Sequence, residues 1–289
     1  MDQTGSGRER STPSGRVAVP LSPRALVAAG LAGVPLAADL DLAASGRWTL
    51  AARAEDLSPD GNRSIQVGSK RVEVVMIRGP LEQRATMGAV CGGAIDGYDA
   101  IEARFAAAAK AVADAGGGRV VLDIDSPGGV SVGSIESARR MLALKEKLGV
   151  RVVSVADQTA TSAAFSLAIV ADEFHVPPLG RTASIGTVVV REKDAAAGTT
   201  EVFRSGKRKM RPNTIEDLDD EDRAQIQGEI DARAANFFAW VSERRGVSTE
   251  DLAALEGASM FGRDAARRGL VDGNLTAHEV IEMAETQTA

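Results

Sequence analysis

The 289 residues carry a formal charge of −6, are 44% hydrophobic and 26% charged, and include one cysteine and two histidines. That length suits one large or two small globular domains with a packed core, and the acidic balance excludes the clustered basic face of a nucleic-acid binder. A single cysteine excludes an internal disulfide, and histidines without cysteine company argue against a zinc site.

Residues 1–16 are polar, Gly/Ser-rich and aperiodic, which predicts a disordered tail over residues 1–21. Residues 25–38 (ALVAAGLAGVPLAA) have the apolar character of a secretory signal but follow an unusually long polar leader. The spacing predicts an N-terminal helix instead, with Ser22 as cap and Pro23 in its first turn. Turn-rich residues 54–69 close this stretch, so residues 22–69 read as a helical extension and linker, with the main domain over residues 70–275. No stretch offers the about 20 uninterrupted apolar residues of a membrane-spanning helix.

From Lys70 onward, strand-like runs alternate with helical ones: VEVVMIRG, a helix over Tyr98 to Ala115, VVLDI, and a helix over Ser134 to Leu148. VRVVSVA, a short apolar helix after Thr161, EFHV and IGTVVV follow. Such alternation predicts an α/β fold, a largely parallel sheet of repeated βαβ units flanked by helices. After Pro212 comes a charged helix over Ile215 to Arg245, burying one face through Ile226, Ile230, Ala234, Phe237, Phe238 and Val241. The end of the chain reads as two short helices around an apolar strand at Leu270 and Val271, with residues 276–289 as a C-terminal helix and tail.

Two places carry chemistry. Asp123-Ile-Asp-Ser-Pro-Gly-Gly129 lies between a buried strand and a helix. Successive glycines allow backbone conformations other residues avoid and leave amide N–H groups uncovered, an anion cradle as well as an ordinary tight turn. In open α/β sheets, ligands gather at the carboxyl ends of the strands, where this motif falls. The second place is ADQTATSAAFSLAIVAD, where Ser162 stands near the first turn of an Ala-rich helix whose unpaired N–H groups support developing negative charge. A serine there is also an ordinary helix cap, and Thr161 and Ser166 compete for the role of nucleophile.

A serine nucleophile needs a base. His278 falls in the terminal helix and His175 at a core position of EFHV, so neither is well placed. A Ser-Lys pair is an alternative, and EVFRSGKRKMR (201–211) supplies Lys207 and Lys209. A lysine base must work neutral, so its pKa has to fall from about 10.4 toward 7 or 8. Neighbouring cations push in that direction, and Arg204, Lys207, Arg208 and Arg211 are expected to supply them. Without such a role the run is a solvated basic loop.

The motifs occur in a telling order: Gly79-Pro80, Asp125-Ser-Pro-Gly-Gly129, Ala160-Thr-Ser-Ala-Ala164, Ala183-Ser-Ile-Gly186, Ser205-Gly-Lys-Arg-Lys209 and Gly269-Leu-Val-Asp272. Together they resemble the signal peptide peptidase A family, within the Clp protease and crotonase superfamily of folds. The resemblance implies Ser162 as nucleophile and Lys209 as base, with Lys207 in reserve. It further implies an oxyanion hole from the backbone N–H groups of Gly128, Gly129 and Ala163, and no metal or cofactor. Also implied are a protein or peptide substrate and a homo-oligomeric ring whose subunits can share the dyad; the acidic balance and the lack of a long apolar run predict no nucleic-acid or membrane partner. Ser162-Ala-Ala-Phe165, where many membrane-bound members have Ser-Gly-Gly-Tyr, and a helical extension before the first strand are more similar to the soluble phage and prophage branch. Those enzymes mature the procapsid by cutting scaffold and capsid proteins, in the host cytoplasm or inside the procapsid. A stand-alone cytoplasmic peptidase, an acyl-CoA enzyme of the crotonase kind and an inactive ring-forming scaffold are the rival readings.

Overall fold

A computed structural model describes residues 62–67, 70–87, 94–194 and 197–288. The expected tail, the N-terminal helix and Cys91 lie outside them. In chain order the elements are β1 (Asn62–Val67), β2 (Lys70–Arg78), β3 (Leu81–Glu82), β4 (Thr86–Met87), β5 (Ala94–Gly97), α1 (Tyr98–Asp114), β6 (Gly118–Ser126) and α2 (Ser134–Leu148). They continue with β7 (Arg151–Thr161), α3 (Ala163–Ala168), β8 (Glu173–His175), β9 (Arg181–Ala183), α4 (Asp220–Arg245), α5 (Thr249–Ala253), β10 (Ser259–Phe261), α6 (Gly262–Arg267) and α7 (Ala277–Thr288).

The expected α/β architecture is present. Strands run β1-β2-β6-β7-β9-β10, with β8 also on β7, and the β2–β6, β6–β7, β7–β8 and β7–β9 pairs are parallel. Only the edge pairs, β1 with β2 and β10 with β9, are antiparallel in this sheet. The central strands are nearly continuous apolar runs because both faces are covered. On one face Val75, Ile77, Leu122, Ile124, Val152 and Ala156 share a core with Ile101 and Phe105 of α1, Met141 of α2 and Phe165 of α3. On the other, Val72, Val74, Val121, Val153 and Val155 are capped by Val280 and Ala284 of α7.

Three element expectations change. IGTVVV forms no strand: Ala183 and Ser184 both take positive φ, 69° and 53°, turning the chain away after β9 and leaving Val188, Val189 and Val190 exposed. Leu270 and Val271 are buried but sit in a turn after Gly269 (φ 73°), while the strand near the end is Ser259–Phe261. The charged helix starts at Asp220 rather than Ile215. Asn213 Oδ1 accepts the Ile215 and Glu216 N–H groups in a turn, and Asp219 then caps the helix with Asp222 in a reciprocal capping box. Its burial is also narrower, with Phe237, Trp240 and Val241 as its buried apolar side chains.

Candidate active site

The glycine turn is built by strand pairing around it. Leu81 of β3 donates its N–H to the Gly128 carbonyl (2.9 Å) and accepts the Val130 N–H (2.9 Å). A side chain on Gly129 would collide with the Leu81 backbone, its Cβ reaching to 2.6 Å of the Leu81 nitrogen. Ser126 ties the turn from below: its hydroxyl donates to the Gly79 carbonyl (2.6 Å) and accepts the Gly128 N–H (3.1 Å). Buried Tyr98 fixes the exit by donating to the Val130 carbonyl (2.5 Å), and burial raises its phenol well above the ordinary value. Of the two glycine amides, Gly129's is therefore the one not bonded within the turn.

A change of register brings the second motif alongside. Ile124 pairs with Ala156 but Ser126 pairs with Ala160, so β7 carries extra residues past β6 before reaching Ser162. Ser162 has φ 54° and ψ −126°, a conformation unfavourable for a residue with a Cβ, held by its N–H donating to the Ala183 carbonyl (2.8 Å). Across the gap, a Cβ on Gly128 would lie 2.8 Å from both the Ser162 Cβ and the Ala163 nitrogen. The glycine is thus what lets the two segments touch. As the first residue of α3, Ala163 has no intrahelical acceptor for its N–H.

The three hydroxyls of this stretch separate cleanly. Thr161 is buried and donates to the Pro127 carbonyl (3.0 Å); Ser166 is fully buried and donates to the Ala163 carbonyl (2.7 Å). Ser162 occupies the cap position of α3, yet its side chain makes no cap hydrogen bond and it is partly exposed. The ordinary reason for a serine at this position is therefore missing.

The basic run has a different environment from the one expected. Arg204 pairs with Glu216, Lys207 with Glu221 (3.4 Å), Arg208 with Asp222 (2.8 Å), and Arg211 with Asp222 and Asp219 (3.3 Å for the latter). These cations are compensated by carboxylates of the turn before α4, its cap and its first turn, and do not form an uncompensated field around the lysines. Asp222, bonded to Arg211, is held down at about 2. Lys209 itself forms no ion pair with any described residue, and it is exposed.

One helix links the two halves. Near its C-terminus Trp240 donates to the Ser166 carbonyl (3.0 Å) and Arg244 to the Ile169 carbonyl (3.0 Å), docking α4 onto α3. From Trp240 back to Asp222 the helix covers about 27 Å at a rise of about 1.5 Å per residue. The lysine-bearing segment is thus attached at the far end of α4 from the Ser162 helix, and among the described residues no ion pair or hydrogen bond joins Lys209 to Ser162.

Neither histidine approaches Ser162. His175 is buried beside Gly273 with Glu173 at 3.5 Å, and His278 is exposed on α7 beside Glu282. At the carboxyl end of β6, burial pushes the Asp125 carboxyl up to about 6 against the pull of Arg78, with Asp157 and Asp123 adding to the rise. Among the described residues no group of three or more His, Cys, Asp or Glu is placed to hold a metal ion, and no helix is long and apolar enough to cross a membrane.

Sequence reasoning named Ser162, Gly128, Gly129 and Ala163, which the fold brings together, and Lys209 and Lys207, which it sets apart from them. It missed Ser126, whose place in the quoted Ser-Pro-Gly-Gly motif was the available signal. It also missed Asp222, whose capping-box spacing from Asp219 was visible.

Comparison with known proteins matches residues 144–289 to the sequence model of peptidase family S49. The chain is 31% identical over 195 residues to the head-tail preconnector protein GP5 of Enterobacteria phage P21, covering 66% of this chain and 38% of that protein. It is 29% identical over 238 residues to the capsid assembly protease C of Escherichia phage lambda, covering 81% of this chain and 53% of that protein. The chain therefore spans about half or less of the length of these relatives. Among solved structures, a point mutant of ClpP1 from Listeria monocytogenes aligns with a TM-score of 0.43 at 13% identity, covering 71% of this chain and 92% of that one.

Proposed function

We propose that this chain, which belongs to peptidase family S49, is a serine endopeptidase with Ser162 as nucleophile and Lys209 as general base. The observation that carries the reading is the contrast among the three neighbouring hydroxyls. Thr161 and Ser166 are bonded and buried, whereas Ser162 is strained, partly exposed and uncapped beside the glycine turn.

In this mechanism Lys209, exposed in the single copy and to be desolvated where it meets Ser162, takes the Ser162 proton as Oγ attacks the scissile carbonyl. The tetrahedral oxyanion is received by the N–H groups of the Gly128-Gly129 turn and Ala163, each donor contributing about 10²–10³ in rate. Gly129 and Ala163 are poised for this, while Gly128 would have to leave Ser126. Collapse breaks the C–N bond, the lysine returns its proton to the departing amine, and water then hydrolyses the Ser162 ester with Lys209 again as base. No step requires a metal or cofactor.

The separation of Lys209 from Ser162 along α4 supports a dyad completed between copies, in a homo-oligomeric ring. The phage relatives, one of them named a capsid assembly protease, support a capsid or scaffold protein as substrate and a place in phage head maturation, in the host cytoplasm or the procapsid. The expected catalytic unit over residues 70–275 is extended in this proposal to residues 62–288, because β1 (Asn62–Val67) pairs with β2 in the sheet and α7 (Ala277–Thr288) packs on its face. Cleavage of fluorescent casein and of a capsid scaffold protein tests the assignment. Ser162→Ala and Lys209→Ala are expected to lose at least a thousandfold in rate, with Lys207→Ala close to parent. Parent-like cleavage by either of the first two variants would overturn it.

A further inference from the structure

We infer that Asp222 is a positioning residue for Lys209, a single carboxylate that grips the residues on either side of the lysine and holds the segment in its working conformation. This rests on the reading of Lys209 as the base. The carboxylate is fully buried. One oxygen lies in an ion pair with Arg208 (Nη2, 2.8 Å), the residue before the lysine, whose Nη2 donates its hydrogen bond to Gln225 (3.0 Å), and the other accepts from Arg211, two residues after it; Asp219 faces the same two arginines from farther off, at 3.6 and 3.3 Å. The same side chain accepts the Asp219 N–H (3.1 Å), and the Asp222 N–H donates to Asp219 Oδ1 (2.7 Å). Asp222 is therefore fixed to the first turn of a 26-residue helix before it touches the basic segment.

The segment needs such a grip. Its backbone is a tight turn, with the Lys209 N–H on the Gly206 carbonyl (2.9 Å) and the Arg211 N–H on the Arg208 carbonyl (3.1 Å). Met210 takes φ 68°, a conformation a residue with a side chain holds only when its surroundings impose it. Apolar packing does not impose it: Met210 is 55% and Phe203 89% exposed. Charge does. The two arginines are held by the acidic turn, and the turn geometry projects the intervening Lys209 into solvent. A lysine side chain loses much rotamer and backbone freedom when it must meet a serine at one angle, so a fixed base on its chain lowers that cost at the moment of reaction.

The test is a mutant cycle on the full-length protein with fluorescent casein, reading kcat and KM separately. Asp222→Asn is expected to lower kcat about ten- to hundredfold with KM within about twofold. Asp222→Glu, which keeps the charge and suits a capping box, recovers most of it. The doubly substituted Arg208→Gln/Arg211→Gln, altered only in the projecting segment, reproduces the loss if Asp222→Asn folds poorly. In the Lys209→Ala background Asp222→Asn should cost nothing further, because its effect passes through the lysine. Parental kcat in both Asp222→Asn and the double arginine variant overturns the inference, as does a further equal loss in the Lys209→Ala background. If Lys209→Ala itself cleaves like the parent, the dyad reading fails, and this one with it.

Discussion

A methyl group on Gly128 would stand 2.8 Å from the Ser162 Cβ, closer than any two such carbons normally come. The glycine turn and the serine turn are therefore in contact through the missing side chain. Gly128 also holds φ 95°, which adds about 1–2 kcal/mol of backbone cost for an L side chain. Gly128→Ala should lower the melting temperature by several degrees and turnover by more than tenfold, read by a thermal melt and a casein assay on the same preparation. Unchanged turnover in a folded variant would mean that the contact has no part in the reaction.

Ser166→Ala provides the contrast. Its hydroxyl donates to the Ala163 carbonyl inside α3 and is fully buried, so its loss should cost about 1 kcal/mol of stability and little catalysis. Denaturant unfolding and kcat measured together check this, and a collapse of kcat with intact stability would shift the nucleophile assignment from Ser162.

Asp125 gives a pH dependence of defined sign. Its folded value, about 6, lies above the ordinary 3.8 because burial penalises the charged form. Folding is therefore relatively favoured by this group below the unfolded value, and that advantage is lost as pH rises through about 6. Asp125→Asn should raise the melting temperature at about pH 8 and change it little near pH 4, flattening the decline between. Melting curves across that range, parent against variant, decide it; a variant less stable at about pH 8 contradicts the sign.

Much of this was legible in the sequence, and for identifiable reasons. VVLDI and VRVVSVA have no polar alternation because both sheet faces are covered, so their place in a parallel sheet follows from pattern alone. Ser162 and the two glycines were singled out by strand-turn-helix punctuation at the carboxyl ends of strands, which left Ser162 equally a helix cap; the order of the motifs made it the nucleophile candidate. The apolar run IGTVVV misled, since hydrophobicity cannot reveal the two successive positive φ angles at Ala183 and Ser184 that take it off the sheet. The basic run misled for another reason: its partners, Glu216 to Asp222, are close in sequence, but local charge counting does not show that they fold back to neutralise Arg204, Arg208 and Arg211. What stayed hidden is that the basic segment and the Ser162 helix dock at opposite ends of α4, a property of how the chain folds back on the helix rather than of its composition.

That arrangement leads to the most direct measurement. Ser162→Ala and Lys209→Ala, each expected to lose at least a thousandfold alone, are to be co-expressed in equal amounts and assayed as one purified assembly. A dyad shared between neighbours in a head-to-tail ring restores about a quarter of parental activity, the fraction of interfaces that join an intact serine to an intact lysine. A mixed assembly as inactive as either variant by itself would contradict a site built from Ser162 of one copy and Lys209 of the next.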